Sequence, residues 1–133
     1  MNKLKIDEMI IAAMKNIESN KNIKMLENGK IKSHYYGHVA AFGPSLIQTG
    51  LLQCIAFYSK KDETGRRNIL KLMEKILEDT GRINKKPDEK DLFHHLRNQL
   101  KDNSYESRKR FTSYMMEACT ACKLALRTFP KAD

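Results

Sequence analysis

Apolar residues recur along this chain at intervals of three and four, the period of a helix that buries one side. In the first segment Ile6, Met9, Ile10, Ala13, Met14 and Ile17 share a face, while Lys3, Lys5, Glu8 and Lys15 lie elsewhere. That spacing predicts an amphipathic helix. The polar stretch ESNKNIKMLENGKIKS loosens or ends it before Gly29. Strand-like alternation is absent, so no strand is predicted.

The most apolar stretch, YYGHVAAFGPSLIQTGLLQCIAFYS, runs from Tyr35 to Ser59. Ser33 is a plausible N-cap for a short second helix carrying Tyr35, Tyr36, Val39 and Phe42, which Gly43 terminates. Pro44 suits the first position of a third helix, where its missing N–H is an orphan donor anyway. In that helix Leu46, Ile47, Leu51, Leu52, Cys54, Ile55, Ala56, Phe57 and Tyr58 point nearly all round, which predicts a central, buried helix. Gly50 falls near its middle. Glycine in a helix interior costs about 0.5–1 kcal/mol against alanine, and close approach of a second backbone is the usual return. Gly50 is therefore read as the crossing point of two packed helices, the other reading being a simple helix start or kink.

A fourth helix follows KKDETG, with Ile69, Leu70, Leu72, Met73, Ile76 and Leu77 inward and Gly81 as its stop. RINKKPDEK is a loop, and Asp88 with Asp91 offers a cap for a fifth helix holding Leu92, Phe93, Leu96 and Leu100. Asn103 and Glu106 form a capping-box pattern ahead of the longest helix. Its apolar line passes through Phe111, Met115, Ala118, Cys122, Ala125 and Phe129 until Pro130 closes it. The pattern predicts an all-α fold: one domain over residues 1–133, a compact bundle of five or six helices around a buried central one.

Composition narrows the function. With 133 residues the chain is long enough to fold around a single core without staples. Its 25 Lys and Arg against 16 Asp and Glu give a net charge of +9, which predicts attraction to polyanions. Asp7 and Glu8 interrupt the N-terminal apolar run, so it does not read as a secretory signal. No span approaches the ~18 apolar residues of a membrane helix. Three cysteines fit free thiols in a reducing cytoplasm better than a disulfide framework.

Candidate chemistry is sparse. Cys119 and Cys122 form a C-x-x-C but have no second ligand pair at zinc spacing, and with Cys54 they read as core. His34 and His38 stand one helical turn apart, and His94 and His95 add two imidazoles of which only one can face inward. Neither set carries the glutamate of H-E-x-x-H. There is no phosphate-cradling glycine loop and no G-x-S-x-G elbow, so no cofactor, metal, small-molecule substrate or catalytic residue is assigned. A metal-dependent or thiol enzyme built on His34, His38, Cys119 and Cys122 is the weakest reading.

The basic residues say more. Arg67, Lys71 and Lys75 recur every four positions, a row rising ~6 Å per step that suits successive phosphates. Like charges at that spacing repel by a few tenths of a kcal/mol per pair unless an anion compensates. Glu74, Glu78 and Asp79 lie within reach and offer the competing reading of a neutralised, solvated face. Arg108, Lys109 and Arg110 open the last helix against its dipole, with Lys123 and Arg127 further along. All eight are candidate RNA contacts. Lys60, Lys61, Arg82, Lys85 and Lys86 sit in loops, where solubility is reason enough.

GPSLIQTGLLQCIAFYSKK, preceded by Tyr36 and a short apolar helix, resembles the small all-helical subunit of the type III-B (Cmr) CRISPR RNA-guided complex. The landmarks are Leu46-Ile47, Gly50-Leu51 and Ala56-Phe57, a packing signature. The resemblance implies a non-catalytic cytoplasmic subunit that stacks with copies of itself along the backbone subunits of the complex. Its basic face would help hold guide and target RNA in antiviral defence. The rival from the residues alone is a homo-oligomeric helical adaptor making protein contacts only.

Overall fold

The computed structural model describes residues 3–61, 63–101 and 104–132. The described residues form six helices and a small sheet: α1 (Lys3–Ser19), β1 (Leu26–Glu27), β2 (Lys30–Lys32), α2 (His34–Thr49), α3 (Leu51–Tyr58), α4 (Thr64–Asp79), α5 (Leu92–Gln99), α6 (Tyr105–Leu126) and β3 (Lys131–Ala132). The fold is the all-α bundle that the helical spacing predicts. One cluster of buried apolar side chains joins all six helices.

The centre of the bundle is α4 rather than the 44–58 segment. It packs against α1, α2, α3, α5 and α6, and Ile69, Leu72, Met73 and Ile76 have no exposed surface. The 44–58 segment is not buried all round: Ile47 is 73% exposed and Phe57 42%. An apolar residue on every side of a helix measures its composition, and here two of those sides face solvent.

The chain also divides differently around Gly43, Pro44 and Gly50. α2 runs through Gly43 and Pro44 to Thr49, so Gly43 does not end a helix and Pro44 does not begin one. The carbonyl that Pro44 cannot serve belongs to Ala40, and both residues lie on the solvent side. On the buried side, Tyr58 Oη donates to the His38 carbonyl at 2.6 Å, and the Cys119 thiol donates to that of Val39 at 3.4 Å. The break comes at Gly50, with φ 95° and ψ 165°, a conformation only glycine adopts readily. Its N–H closes α2 on Leu46 and its carbonyl opens α3 on Cys54, each bond 3.0 Å. A Cβ at Gly50 would meet nothing within 4 Å, so Gly50 is a hinge between helices and not a crossing point. α3 then folds back along α2, where the Phe42 and Tyr58 rings meet edge to face at 5.0 Å.

Two caps differ from their sequence reading. Ser33 occupies the N-cap position of α2 but makes no side-chain cap bond. Ser104 caps α6, accepting from the Ser107 N–H at 3.3 Å, while Asn103 lies outside the described residues. Asp91 caps α5 as expected, accepting from the His94 N–H at 3.0 Å.

The sheet corrects the expectation of no strands. β1 and β2 form a two-residue hairpin with Leu26 opposite Ile31. Asn28 and Gly29 both take positive φ, 54° and 76°, as a type I′ turn requires. β3 adds in parallel to β2, and the Ile31 N–H donates to Pro130 O at 2.8 Å. Strands of two and three residues are too short for alternation to register in the pattern.

Candidate nucleic-acid interface

α4 presents its apolar face to the core, so its other side carries Arg67, Lys71 and Lys75 half-exposed along one edge. Two loops close on that edge. On one side the loop after α3 is tied to α4 by Arg67 Nη1, which donates to the Lys61 carbonyl at 2.7 Å. On the other side the chain leaves α4 through a Schellman turn in which Arg82 N–H reaches Leu77 O at 2.8 Å and Gly81 N–H reaches Glu78 O. Ile83 is then buried, and Lys85 Nζ bonds Glu74 Oε2 at 2.8 Å.

Glu89 anchors this second loop. It is 4% exposed, and its Oε1 accepts from the Lys86 N–H and sits against His95 Nδ1, each at 2.8 Å. Its Oε2 accepts from Asn98 at 2.8 Å. The Lys86 N–H foremost, then His95, hold the Glu89 carboxyl down at about 2 despite its burial. A buried carboxylate stays ionised when its oxygens are this fully bonded.

Together the loops and α4 frame two adjoining grooves of about 310 and 250 Å³. Lys71, Glu74, Lys90 and Asp91 line both; Lys61 and Arg67 line the first, Lys75 and Lys85 the second. Among the described residues six cations thus face two carboxylates. Both carboxylates are engaged: Glu74 bonds Lys85, one of the six, and Asp91 Oδ1 bonds the His94 backbone and its Nδ1, the latter at 2.6 Å. Burial pushes the Glu74 carboxyl up, against the pull of Lys85. Within the row, Glu78 pairs with Lys75 at 3.7 Å, and Asp79 accepts from Asn16 at 2.9 Å. Among the described residues no carboxylate pairs with Lys61, Arg67, Lys71 or Lys90.

Lys61, Lys85 and Lys90 are the groove residues that sequence reasoning passed over. Their closeness to the row depends on contacts between distant residues, for which the local sequence carries no signal.

The second basic group is not gathered into this site. Lys109 and Arg127, eighteen positions or five helical turns apart, share one side of α6 but lie ~27 Å from each other. Arg108 and Arg110 diverge from Lys109 by ~100° each way, and Arg110 stands 5.3 Å from the Phe111 ring. Lys123 is half-buried. None of these five residues lines either groove.

Cys54, Cys119 and Cys122 are buried free thiols, and burial pushes each of them up, away from the thiolate that a ligand or nucleophile needs. His34 packs on Tyr35 at 4.2 Å and on His38 at 5.5 Å. Burial holds His38 below the ordinary imidazole range, with His34 and Arg66 adding to the effect. His95 is buried and His94 half-exposed. Among the described residues no three His, Cys, Asp or Glu are grouped to hold a metal ion. No described helix is long and apolar enough to cross a membrane.

The packing signature divides. Leu46 and Leu51 are buried, whereas Ile47, Gly50, Ala56 and Phe57 face solvent. Four of the six landmarks therefore belong to the surface rather than to the core.

The described residues form a small, mostly helical fold with an open cationic groove on α4. A family model for "CRISPR-associated protein (Cas_Cmr5)" matches residues 8–128. The chain therefore belongs to the Cmr5 family, the small subunit of the type III-B CRISPR complex. Neither the curated proteins nor the solved structures yielded a match.

Proposed function

We propose that this chain is a non-catalytic, RNA-binding subunit of a cytoplasmic Cmr effector complex. In this reading it stacks with copies of itself along the backbone subunits and helps hold guide and target RNA through the α4 groove. The observation that carries it is the convergence of Lys61, Arg67, Lys71, Lys75, Lys85 and Lys90 on one open surface, four of them with no carboxylate partner among the described residues. Such a surface attracts phosphates without reading sequence. The groove's own residues bind and do not react: its carboxylates are committed to Lys85 and His94.

The test is RNA binding by the purified protein across a salt series. Binding should weaken with salt, and Lys71→Glu/Lys90→Glu should reduce the size of the log-log slope by about 0.7–0.9 per lost phosphate contact. Lys109→Glu/Arg127→Glu should leave the slope closer to wild type. The reverse ranking would move the RNA to α6, and salt-insensitive or absent binding would remove the RNA role.

A second reading, a helical adaptor that makes protein contacts only, draws on the exposed large apolar residues Ile11 (68%) and Ile47 (73%). Self-association that resists salt, without RNA affinity, would favour it.

A further inference from the structure

Phe57 and Tyr105 are the exposed aromatic residues among those described, and Phe57 is the one that stands two residues from Ser59 of the first groove. Its neighbour Tyr58 is 2% exposed and fills the core, but Phe57, in the last turn of α3, leaves 42% of its surface to solvent. The Phe57 ring is held edge to face against Tyr58 at 5.9 Å. Two cations already lie over it: the Arg66 guanidinium at 4.5 Å from the ring centre and Lys60 Nζ at 5.3 Å. Arg66 is tethered to Glu63 at 3.3 Å. Lys60 carries its charge on a flexible stem and can swing away to a phosphate.

The position of this ring matters as much as its exposure. Lys60 and Arg66 are the chain neighbours of Lys61 and Arg67, two of the residues that line the groove, which are joined through the Lys61 carbonyl. Phe57 thus leads along the chain directly into Ser59 and Lys61, which line the first groove. An exposed aromatic face beside a run of phosphate-binding cations is the arrangement by which proteins hold unpaired nucleotides, the backbone on the charges and a base on the ring.

We propose that Phe57, flanked by Arg66 and Lys60, is a stacking platform for one unpaired base of an RNA strand whose phosphates run along the α4 groove. The proposal rests on the reading of that groove as an RNA track. It adds a distinction: the site favours single-stranded RNA, because a base in a duplex is already stacked on its neighbours and does not reach the ring.

The experiment compares one RNA sequence as a single strand and annealed to its complement, over a salt series, with wild type, Phe57→Ala, Phe57→Trp and Lys71→Glu/Lys90→Glu. Phe57→Ala should weaken single-strand binding by about five- to a hundred-fold with the salt slope unchanged, since it removes a stack and no phosphate contact. Duplex binding should not change, and Phe57→Trp should retain single-strand affinity. A silent Phe57→Ala, or equal losses on both RNAs, overturns the platform. If the charge reversal still shrinks the slope, the groove survives that failure, whereas no RNA binding by wild type removes both. Photocrosslinking of an iodouridine-labelled single strand to the wild-type protein gives a readout independent of the variants: the adduct should map to the peptide containing Phe57, and an adduct elsewhere overturns the proposal.

Discussion

At the scale of the residue, Glu89 shows how a single side chain positions a binding surface. Its three hydrogen bonds hold the 84–91 loop, with Lys85 and Lys90, beside α4. Glu89→Gln should destabilise the fold by about 1–3 kcal/mol, because an amide cannot satisfy the same buried donors. The pH dependence has a definite sign. The folded carboxyl titrates at about 2, below its ordinary 4.5, so its contribution is complete above about 4.5 and is lost as pH falls toward 2. Denaturant unfolding from pH 5 to 2 should therefore show a steeper loss for wild type than for Glu89→Gln; parallel curves would contradict the assignment. Nothing in KKPDEKD marks Glu89 as buried, because its charge and its charged neighbours look like any solvated loop. Two of its three partners, His95 and Asn98, are supplied by α5.

At the scale of the element, the joint between α2 and α3 depends on backbone conformation. Gly50 has φ 95° and open space where a Cβ would stand, so Gly50→Ala meets no clash and pays only in strain. The loss should be about 1–3 kcal/mol, read by thermal or urea unfolding. An unchanged midpoint would mean that the joint relaxes without penalty. The existence of α1, α4, α5 and α6 was legible in spacing, since each buries one stripe of a regular period. The limits of α2 and α3 were not. Gly43 and Pro44 are strong local punctuation, but a helix overrides them when the freed carbonyl lies on the solvent side and neighbouring carbonyls find buried donors such as Tyr58.

At the scale of the whole molecule, small residues set how closely the helices approach. α6 packs on α1 and α4, and its Ala118, Ala121 and Ala125 are fully buried, as is Ala13 of α1. Ala121→Leu should force these helices apart and destabilise the protein by about 1–3 kcal/mol or more, seen as a lower melting temperature with helical content retained below the transition. A wild-type melting curve would show room that the packing does not suggest.

The amino-acid sequence by itself determined that this protein is helical and basic, and it placed Arg67, Lys71 and Lys75 on one edge of one helix. Those properties follow from local period and from composition, which need no knowledge of the fold. Only the tertiary structure decided which helix is central, that four of the six Leu46–Phe57 landmarks face solvent, and that the α6 cations stay dispersed while Lys61, Lys85 and Lys90 join the α4 row. Periodicity reports that a face is buried but not against what. The partners are chosen by side-chain contacts such as Glu89 with His95 and Asn16 with Asp79, which link residues from different elements and exist only once the chain has folded.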